Sequence, residues 1–500
     1  MLFSKSFRPN WIGLAAALFV AVLPGRIARA ENIVGDAVPA LDGVATEGTF
    51  RHLRAFQDIA SMSGGNRAAG TPGYDRSAEY VAERLKEAGY LVHVEEFEFP
   101  FFEERVPPVL LVSSSDGRQE PAPAAALRTL TNSGSSNVTA QLHLVSLGLA
   151  GEGSPPASAS GCKTTDFEDF ERGRVALIRR GTCTFQTKVE NAVAAGAAGV
   201  VLMNEGTEGR TDAFSGQLSQ LAPIPVVGVS YDLGLSLEIA ARAGAAVHLE
   251  INAVTGKRLT RNVLADTARN SDSSLIIVGA HLDSVPEGPG INDNGSGSAV
   301  VLEAALRLAQ GSTQARGGVR FAFWGAEERG LIGSRHHVGS LSEEVRRHIA
   351  LYINLDMVGS PNFARFVQGA AATGDGLAAV VRRELLAEFR EHNLSVEERA
   401  EGRFGSDDAP FSQKGIPTIG LYTGAGGPKS EIQASLFGGA AGRPYDPCYH
   451  RSCDTIENIN RDVLEQNTRA LVRALNAAAI AARAPSTPSQ KVVDLPEPNL

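Results

Sequence analysis

The sequence predicts an α/β fold: a mostly parallel sheet flanked by helices on both faces, interrupted by a smaller inserted α+β domain. Three observations predict it. Short, nearly unbroken apolar runs alternate with helical patterns in the C-terminal half, as expected of parallel strands buried on both faces. Three of those runs end in carboxylates or histidine, at the carboxyl edge where open α/β sheets build ligand sites. Between residues 125 and 250, by contrast, short strand and helix patterns recur without any such endings, which marks a separate unit.

The chain has 500 residues, 43% hydrophobic and 21% charged, enough for two or three domains and a large core. Its expected divisions are a leader at 1–30, two segments of one domain at 31–120 and 253–484, the insert at 121–252, and a disordered tail at 485–500. Lys5 and Arg8 precede an apolar run at 11–23, and Ala28-Arg29-Ala30 fits small-residue cleavage after Ala30. That pattern reads as a secretory signal, so the mature protein is expected to be secreted or periplasmic with no membrane span. The net charge of −9 becomes more negative once that leader is removed, which disfavours nucleic acid and anionic membrane surfaces as partners.

In chain order, residues 46–105 read as helix, loop, helix, strand. Tyr80, Val81, Leu85 and Ala88 share one helical face over 77–89, and LVHVEEFEF (91–99) alternates as a strand does. A polar stretch at 113–123 reads as a boundary. The insert offers strands at 175–178, 200–204 and 224–230 and an alanine-rich helix at 188–199. Helices follow at 298–310, 377–391 and 463–482. Four cysteines in an exported chain are expected to pair. Proximity joins Cys162 to Cys183 and Cys448 to Cys453, the second pair closing a short loop around His450.

The chemistry lies at the strand ends. SLIIVGA (274–280) runs into His281 and Asp283, VRFAFWG (319–325) into Glu327 and Glu328, and IALYINL (349–355) into Asp356. Asp293 sits in the glycine-rich GINDNGSG (290–297), and His450 lies near the end. His, Asp, Glu, Asp and His form a ligand mix suited to two divalent cations, zinc above all, with Asp293 as the bridge. Asp283 either binds metal itself or accepts the other ring N–H of His281, the role metal-bound histidines usually require. Of Glu327 and Glu328, one would ligate and the other take a proton from water; order alone does not say which. His336 and His337 read as surface. There is no G-x-S-x-G, no H-E-x-x-H and no G-K-[ST] ending to the glycine loop.

GAHLDSVPEGPGINDNGSGSAVVLEAA (279–305), FWGAEERGLIGS (323–334), NLDMVGSPN (354–362) and CYHRSCDTIENIN (448–460) resemble the secreted double-zinc aminopeptidases, a family that includes bacterial leucyl aminopeptidases. RAAGTPGYDRSAEYVAERLKEAGY (67–90) is similar to its N-terminal signature. GCKTTDF (161–167) and LIRRGTCTFQTKVENAVAAGAAGVVLMN (177–204) resemble a protease-associated (PA) domain. The resemblance implies His281 and Asp356 on one zinc, Glu328 and His450 on the other, and Asp293 bridging. It implies Glu327 as general base, Asp283 as the carboxylate behind the ligands and Tyr449 as the phenol that steadies the oxyanion. In GRFGSDDAPF (402–411), Gly405 stands where near relatives have arginine, Arg403 lies two residues earlier and Asp408 replaces a histidine. Tyr422 replaces a pocket phenylalanine. Met357, Arg403 and Tyr422 are therefore the candidate substrate contacts. Glu465 and Arg469 fall where some relatives bind calcium, and the cation at Arg469 argues against that ion.

The expected activity is that of an exported aminopeptidase with two zinc ions. Its substrates would be peptides with a free N-terminus, large apolar first residues such as leucine being favoured, and the PA domain would offer a surface for protein contact. Two other readings are a carboxypeptidase of the same family and a catalytically silent binding protein on the same fold.

Overall fold

The computed structural model describes residues 44–113, 118–145, 160–267, 274–310, 318–369, 376–399 and 405–481. The expected leader at 1–30, the expected tail at 485–500 and Arg403 lie outside them. Four strands form the parallel centre of the sheet, side by side in the order Thr418–Tyr422, Ile349–Leu355, Leu275–His281 and Gly318–Trp324. Every residue of Leu275–His281 is buried, as is all but one of each neighbour in the middle of the sheet. That is why these strands read as apolar runs rather than alternating ones.

Helices cover both faces. Helix Gly297–Gln310 packs against Leu275–His281 and against helix Arg461–Ala481, which in turn packs on Leu377–Glu391. On the opposite face Ile277, Trp324 and Tyr352 form a core with Val338 of helix Ile332–Ser340 and Phe411 of helix Asp408–Ser412. There the Tyr352 and Phe411 rings stack with centroids 3.9 Å apart, and the Trp324 indole N–H donates to the Tyr352 oxygen at 2.8 Å. His337 corrects its surface reading: it is 1% exposed, with Nδ1 2.9 Å from Glu95 Oε1. The helix turns it inward beside Trp324, while His336 next to it stays exposed.

Two long strands, Leu91–Ser113 and Ala246–Asp266, pair antiparallel along almost their whole length. The ribbon joins the two parts of the molecule. Its Val263–Asp266 end pairs with Gly318–Trp324, and its Ala246–Ile251 end pairs with Ser136–Leu144 of the insert. The first strand is far longer than the 91–99 legible in sequence. Its ladder slips between Glu104 and Val109, where Pro107 and Pro108 have no N–H to donate. The insert continues with Val175–Arg179, Gly199–Met203 and Val226–Val229 in parallel, closed by Leu127–Thr129 antiparallel. Cys162–Cys183 and Cys448–Cys453 are both disulfide-bonded. No described helix is long and apolar enough to cross a membrane.

Candidate metal centre

The parallel register brings three strand ends to one edge. Trp324 pairs with His281, and Asn354 with Gly279, so the residues that follow them emerge together. At two of these exits the backbone turns sharply through a left-handed residue, Ala326 (φ 57°) before Glu327 and Met357 (φ 49°) after Asp356, and in the separate loop that carries it His450 itself is left-handed (φ 57°). A side chain held there costs about 1–2 kcal/mol, so the surrounding packing must enforce it. Here the turns aim ligating groups inward.

Asp293 arrives from the loop before helix Gly297–Gln310. Its own N–H and that of Asn292 donate to the two oxygens of Asp454, at 3.0 and 2.9 Å. Asn294 braces the other side, with Nδ2 donating to the Leu355 carbonyl at 2.8 Å and Oδ1 accepting from Gly297 and Met357. The Asp293–Asn294 peptide is cis. Gly290 starts this loop at φ 62°, where a Cβ would meet the Asp293 carbonyl oxygen at 2.3 Å, so only glycine fits.

The result is a single cluster. Asp293 lies between two imidazoles, its Oδ1 3.3 Å from His281 Nε2 and its Oδ2 3.1 Å from His450 Nε2. Asp356 Oδ1 is 3.4 Å from His281 Nε2, and Glu328 Oε2 is 3.3 Å from His450 Nε2. Glu327 joins His281 and Asp356 within ligating reach. All six line one cavity of about 140 Å³ together with Tyr449, Met357 and Tyr422. The Tyr449 ring stacks on His450 with centroids 3.8 Å apart.

Asp283 behaves differently from its expected role. Its carboxylate is 3.8 Å from His281 Nδ1, beyond a hydrogen bond, and its backbone carbonyl accepts from that nitrogen at 3.1 Å instead. The carboxylate oxygens accept the backbone N–H groups of Glu327 and Glu328, at 3.1 and 3.3 Å. So the same residue fixes the imidazole through its main chain and the glutamate turn through its side chain.

This tautomer decides what the site is built for. With Nδ1–H given to a carbonyl, a neutral His281 presents a lone pair at Nε2, facing two carboxylate oxygens. Lone pairs opposed at such distances repel unless a proton or a cation sits among them. In the metal-free protein protons do. Burial alone would lower the His281 pKa, but Glu327 and Asp356 carry it well above the usual imidazole range. Burial also opposes His450, yet its hydrogen bonds to Asp293 and Glu328 raise it to about 10. Burial pushes Glu328 up to about 7, helped by the Asp293 charge. Glu328 Oε1 is buried without a hydrogen-bond partner among the described residues. A surplus of buried carboxylates with convergent imidazole lone pairs fits divalent cations of the zinc type.

Sequence reading gave no role to Arg67, which the structure places behind this wall. It is 0% exposed, and its guanidinium donates to the carbonyls of Leu282, Pro289 (2.9 Å) and Gly290 (2.6 Å). Burial lowers its pKa to about 10, so it stays charged at neutral pH and faces the negative side of the site. Nothing in the local pattern around residue 67 reveals carbonyl partners more than two hundred positions away. Arg67→Ala strands three buried carbonyls and is expected to cost about 3 kcal/mol or more, read by urea unfolding. Of the remaining candidates, Arg403 lies outside the described residues. Arg469 ion-pairs with Glu388 (3.2 Å) and Glu465 (3.3 Å).

Comparison with known proteins agrees with this geometry. Residues 262–475 match peptidase family M28, and residues 138–237 match the PA domain. An aminopeptidase of Pseudomonas aeruginosa is 42% identical over 435 residues, covering 84% of this chain and 78% of that protein. A probable lipoprotein aminopeptidase of Mycobacterium tuberculosis is 36% identical over 496 residues, covering 95% and 90%. Among solved structures, an aminopeptidase from Aneurinibacillus sp. strain AM-1 superimposes with a TM-score of 0.67 at 26% identity, covering 87% of this chain and 93% of that one. A zinc aminopeptidase from Bacillus subtilis gives 0.57 at 26%, covering 86% and 94%. With the strand-end cluster, the mixed sheet and relatives this similar along most of its length, the chain belongs to peptidase family M28 and carries a PA domain.

Proposed function

We propose that this protein is an exported, zinc-dependent aminopeptidase that hydrolyses the first peptide bond of peptides with a free N-terminus. The observation that carries this reading is the pair of imidazole Nε2 atoms, each facing an oxygen of Asp293, with Asp356 and Glu328 closing the two ends. His281, Asp293 and Asp356 would hold one zinc; Asp293, Glu328 and His450 would hold the second. When bound, the two ions supply Lewis acidity to the scissile carbonyl and lower the pKa of water in the site.

The chain's own groups do the rest. Glu327 takes the proton of the attacking water on its carboxylate and returns it to the leaving nitrogen. Burial raises the Tyr449 pKa well above the usual phenol range, so its O–H stays intact to donate to the developing oxyanion. The surplus of carboxylate around the cavity favours the substrate's α-ammonium group. Met357, with Leu421 and Tyr422, gives the first side chain an apolar wall, in keeping with a long substrate residue such as leucine. The leader-like pattern of the first thirty residues, two disulfides and a lipoprotein relative support export. We assign the insert to 121–252, and its outer surface to protein contact.

The test compares leucine p-nitroanilide with its N-acetyl form, using zinc-loaded protein. Release of nitroaniline from the free amine alone is expected. Equal turnover of both, or preference for the blocked substrate, would replace an aminopeptidase with a different exopeptidase. Silence towards both would favour a binding protein.

A further inference from the structure

We propose that the Cys448–Cys453 disulfide is a redox switch on the second metal position. Closed, it holds His450 in ligating geometry; opened by a low-molecular-weight thiol, it releases the cation that Asp293, Glu328 and His450 would share. The inference rests on the two-cation reading above. His450 is the most exposed of the five ligands, its side chain 38% exposed against 1% for His281. The Asp283 carbonyl fixes Nδ1 of His281, whereas among the described residues the polar contacts of His450 run through Nε2 alone. Its backbone is left-handed (φ 57°), a conformation that a residue with a side chain keeps only under constraint. The ring that stacks on it, Tyr449, belongs to the same loop.

The constraint comes from the loop itself. Asp446 and Asp454 anchor its two ends to the stretch that carries Asp293. Asp446 accepts from Asn292 Nδ2 at 2.6 Å and from the Cys448 N–H at 2.8 Å. Asp454 accepts the N–H groups of Asn292 and Asp293 on its carboxylate, and that of Ile291 on its carbonyl at 3.0 Å. Between these anchors the Arg451 and Asp454 N–H groups donate to the Cys448 and Arg451 carbonyls, at 3.0 and 3.1 Å. The disulfide ties Cys448 to Cys453 across Tyr449 and His450. Opening it lets His450 leave its left-handed backbone, while Asp293 keeps its bonds to Asp454. The position held by His281, Asp293 and Asp356 therefore survives, and the one that needs His450 does not. Cys453 is exposed and Cys448 half-buried, so an incoming thiolate meets the Cys453 sulfur first. It bonds to that sulfur, and the Cys448 sulfur departs with the electron pair and takes a proton. A second thiolate attacks the external sulfur of the mixed disulfide, Cys453 departs in the same way, and the two external thiols end as one disulfide.

The experiment titrates zinc into the full protein against a competing chelator, before and after reduction with an organic phosphine, which competes for zinc less than a thiol does. Oxidised protein is expected to bind two zinc ions. Reduction should weaken the second by about a hundredfold and leave the first unchanged, with the circular dichroism of the fold retained. Cys448→Ser combined with Cys453→Ser should do the same without reductant, whereas Cys162→Ser combined with Cys183→Ser should keep both ions. Reciprocity then requires zinc to make Cys448–Cys453 harder to reduce by the same factor, read by mass mapping of the disulfide in glutathione buffers at fixed free zinc. Two ions held equally tightly in both redox states would overturn the proposal and leave the two-cation reading intact. So would zinc that favours the reduced form, which would make the thiols ligands, or loss of both ions with the fold, which would give the disulfide a general structural role. A single zinc in the oxidised protein would overturn the two-cation reading and this proposal with it. If the Cys448 and Cys453 variant fails to fold, the phosphine-treated wild type and the glutathione series still decide.

Discussion

Glu327→Gln is expected to lower kcat by about a thousandfold or more while leaving zinc content and KM close to wild type. The two adjacent glutamates differ in surroundings, and the difference separates their roles. Glu328 Oε2 approaches His450 Nε2 at 3.3 Å and belongs to the cluster around Asp293. Glu327 reaches the cavity beside His281 and Asp356, its backbone held by the Asp283 carboxylate at 3.1 Å. Burial raises its pKa well above the usual carboxylate range in the metal-free protein, and the nearby Glu328 and Asp407 charges add to the shift. A base meant to accept and return a proton needs such a shift, because an ordinary carboxylate is too weakly basic near neutrality. An amide in place of the Glu327 carboxylate would keep the size and lose the basicity. Glu328→Gln should act in the opposite order, losing metal first and rate as a consequence. Metal analysis beside steady-state kinetics separates the two. Near-normal turnover by Glu327→Gln would remove it as the base.

The contrast between what was and was not legible follows from how each residue is held. His281, Glu327 and Asp356 were legible because an apolar strand carries each of them to a sheet edge, and apolar strands announce themselves in sequence. His450 lies in no strand; only the Cys448–Cys453 loop and the likeness of its motif single it out. Arg67 and Asp454 escaped because their partners are backbone groups of a distant loop, and a backbone partner leaves no mark on the sequence. Asp283 was read as a brace for His281 because of their spacing. The fold turned its carboxylate to the Glu327 and Glu328 amides, which no periodicity encodes. The ribbon Leu91–Ser113 was cut short in sequence by its own prolines, although pairing resumes beyond them.

Removing the metals is expected to abolish activity and to lower Tm by roughly 10 °C or more, by an amount that grows with pH. The sign follows from the metal-free protein. The His450 pKa rises on folding to about 10, so its contribution to stability is complete below the ordinary imidazole range and fades as pH climbs towards 10. Glu328 is raised to about 7, because the fold penalises its ionised form, and stability is lost as pH rises from the ordinary carboxylate range to that value. Asp407, which burial also raises to about 7, acts in the same sense. Asp293 runs the other way: burial would raise it, but hydrogen bonds from the two imidazoles hold it low, and its window lies below the ordinary carboxylate range. The metal-free fold should therefore weaken progressively from about pH 4, where Glu328 and Asp407 begin to cost, up to about pH 10, where His450 loses its proton. Zinc replaces those protons, so it competes with them at low pH and is unopposed at high pH. Scanning calorimetry of metal-free and zinc-loaded protein should find the gap in Tm wider at the alkaline end. A gap that narrows with pH would mean that the imidazoles and carboxylates around Asp293 are not what zinc displaces protons from, and the two-cation assignment would fall with it.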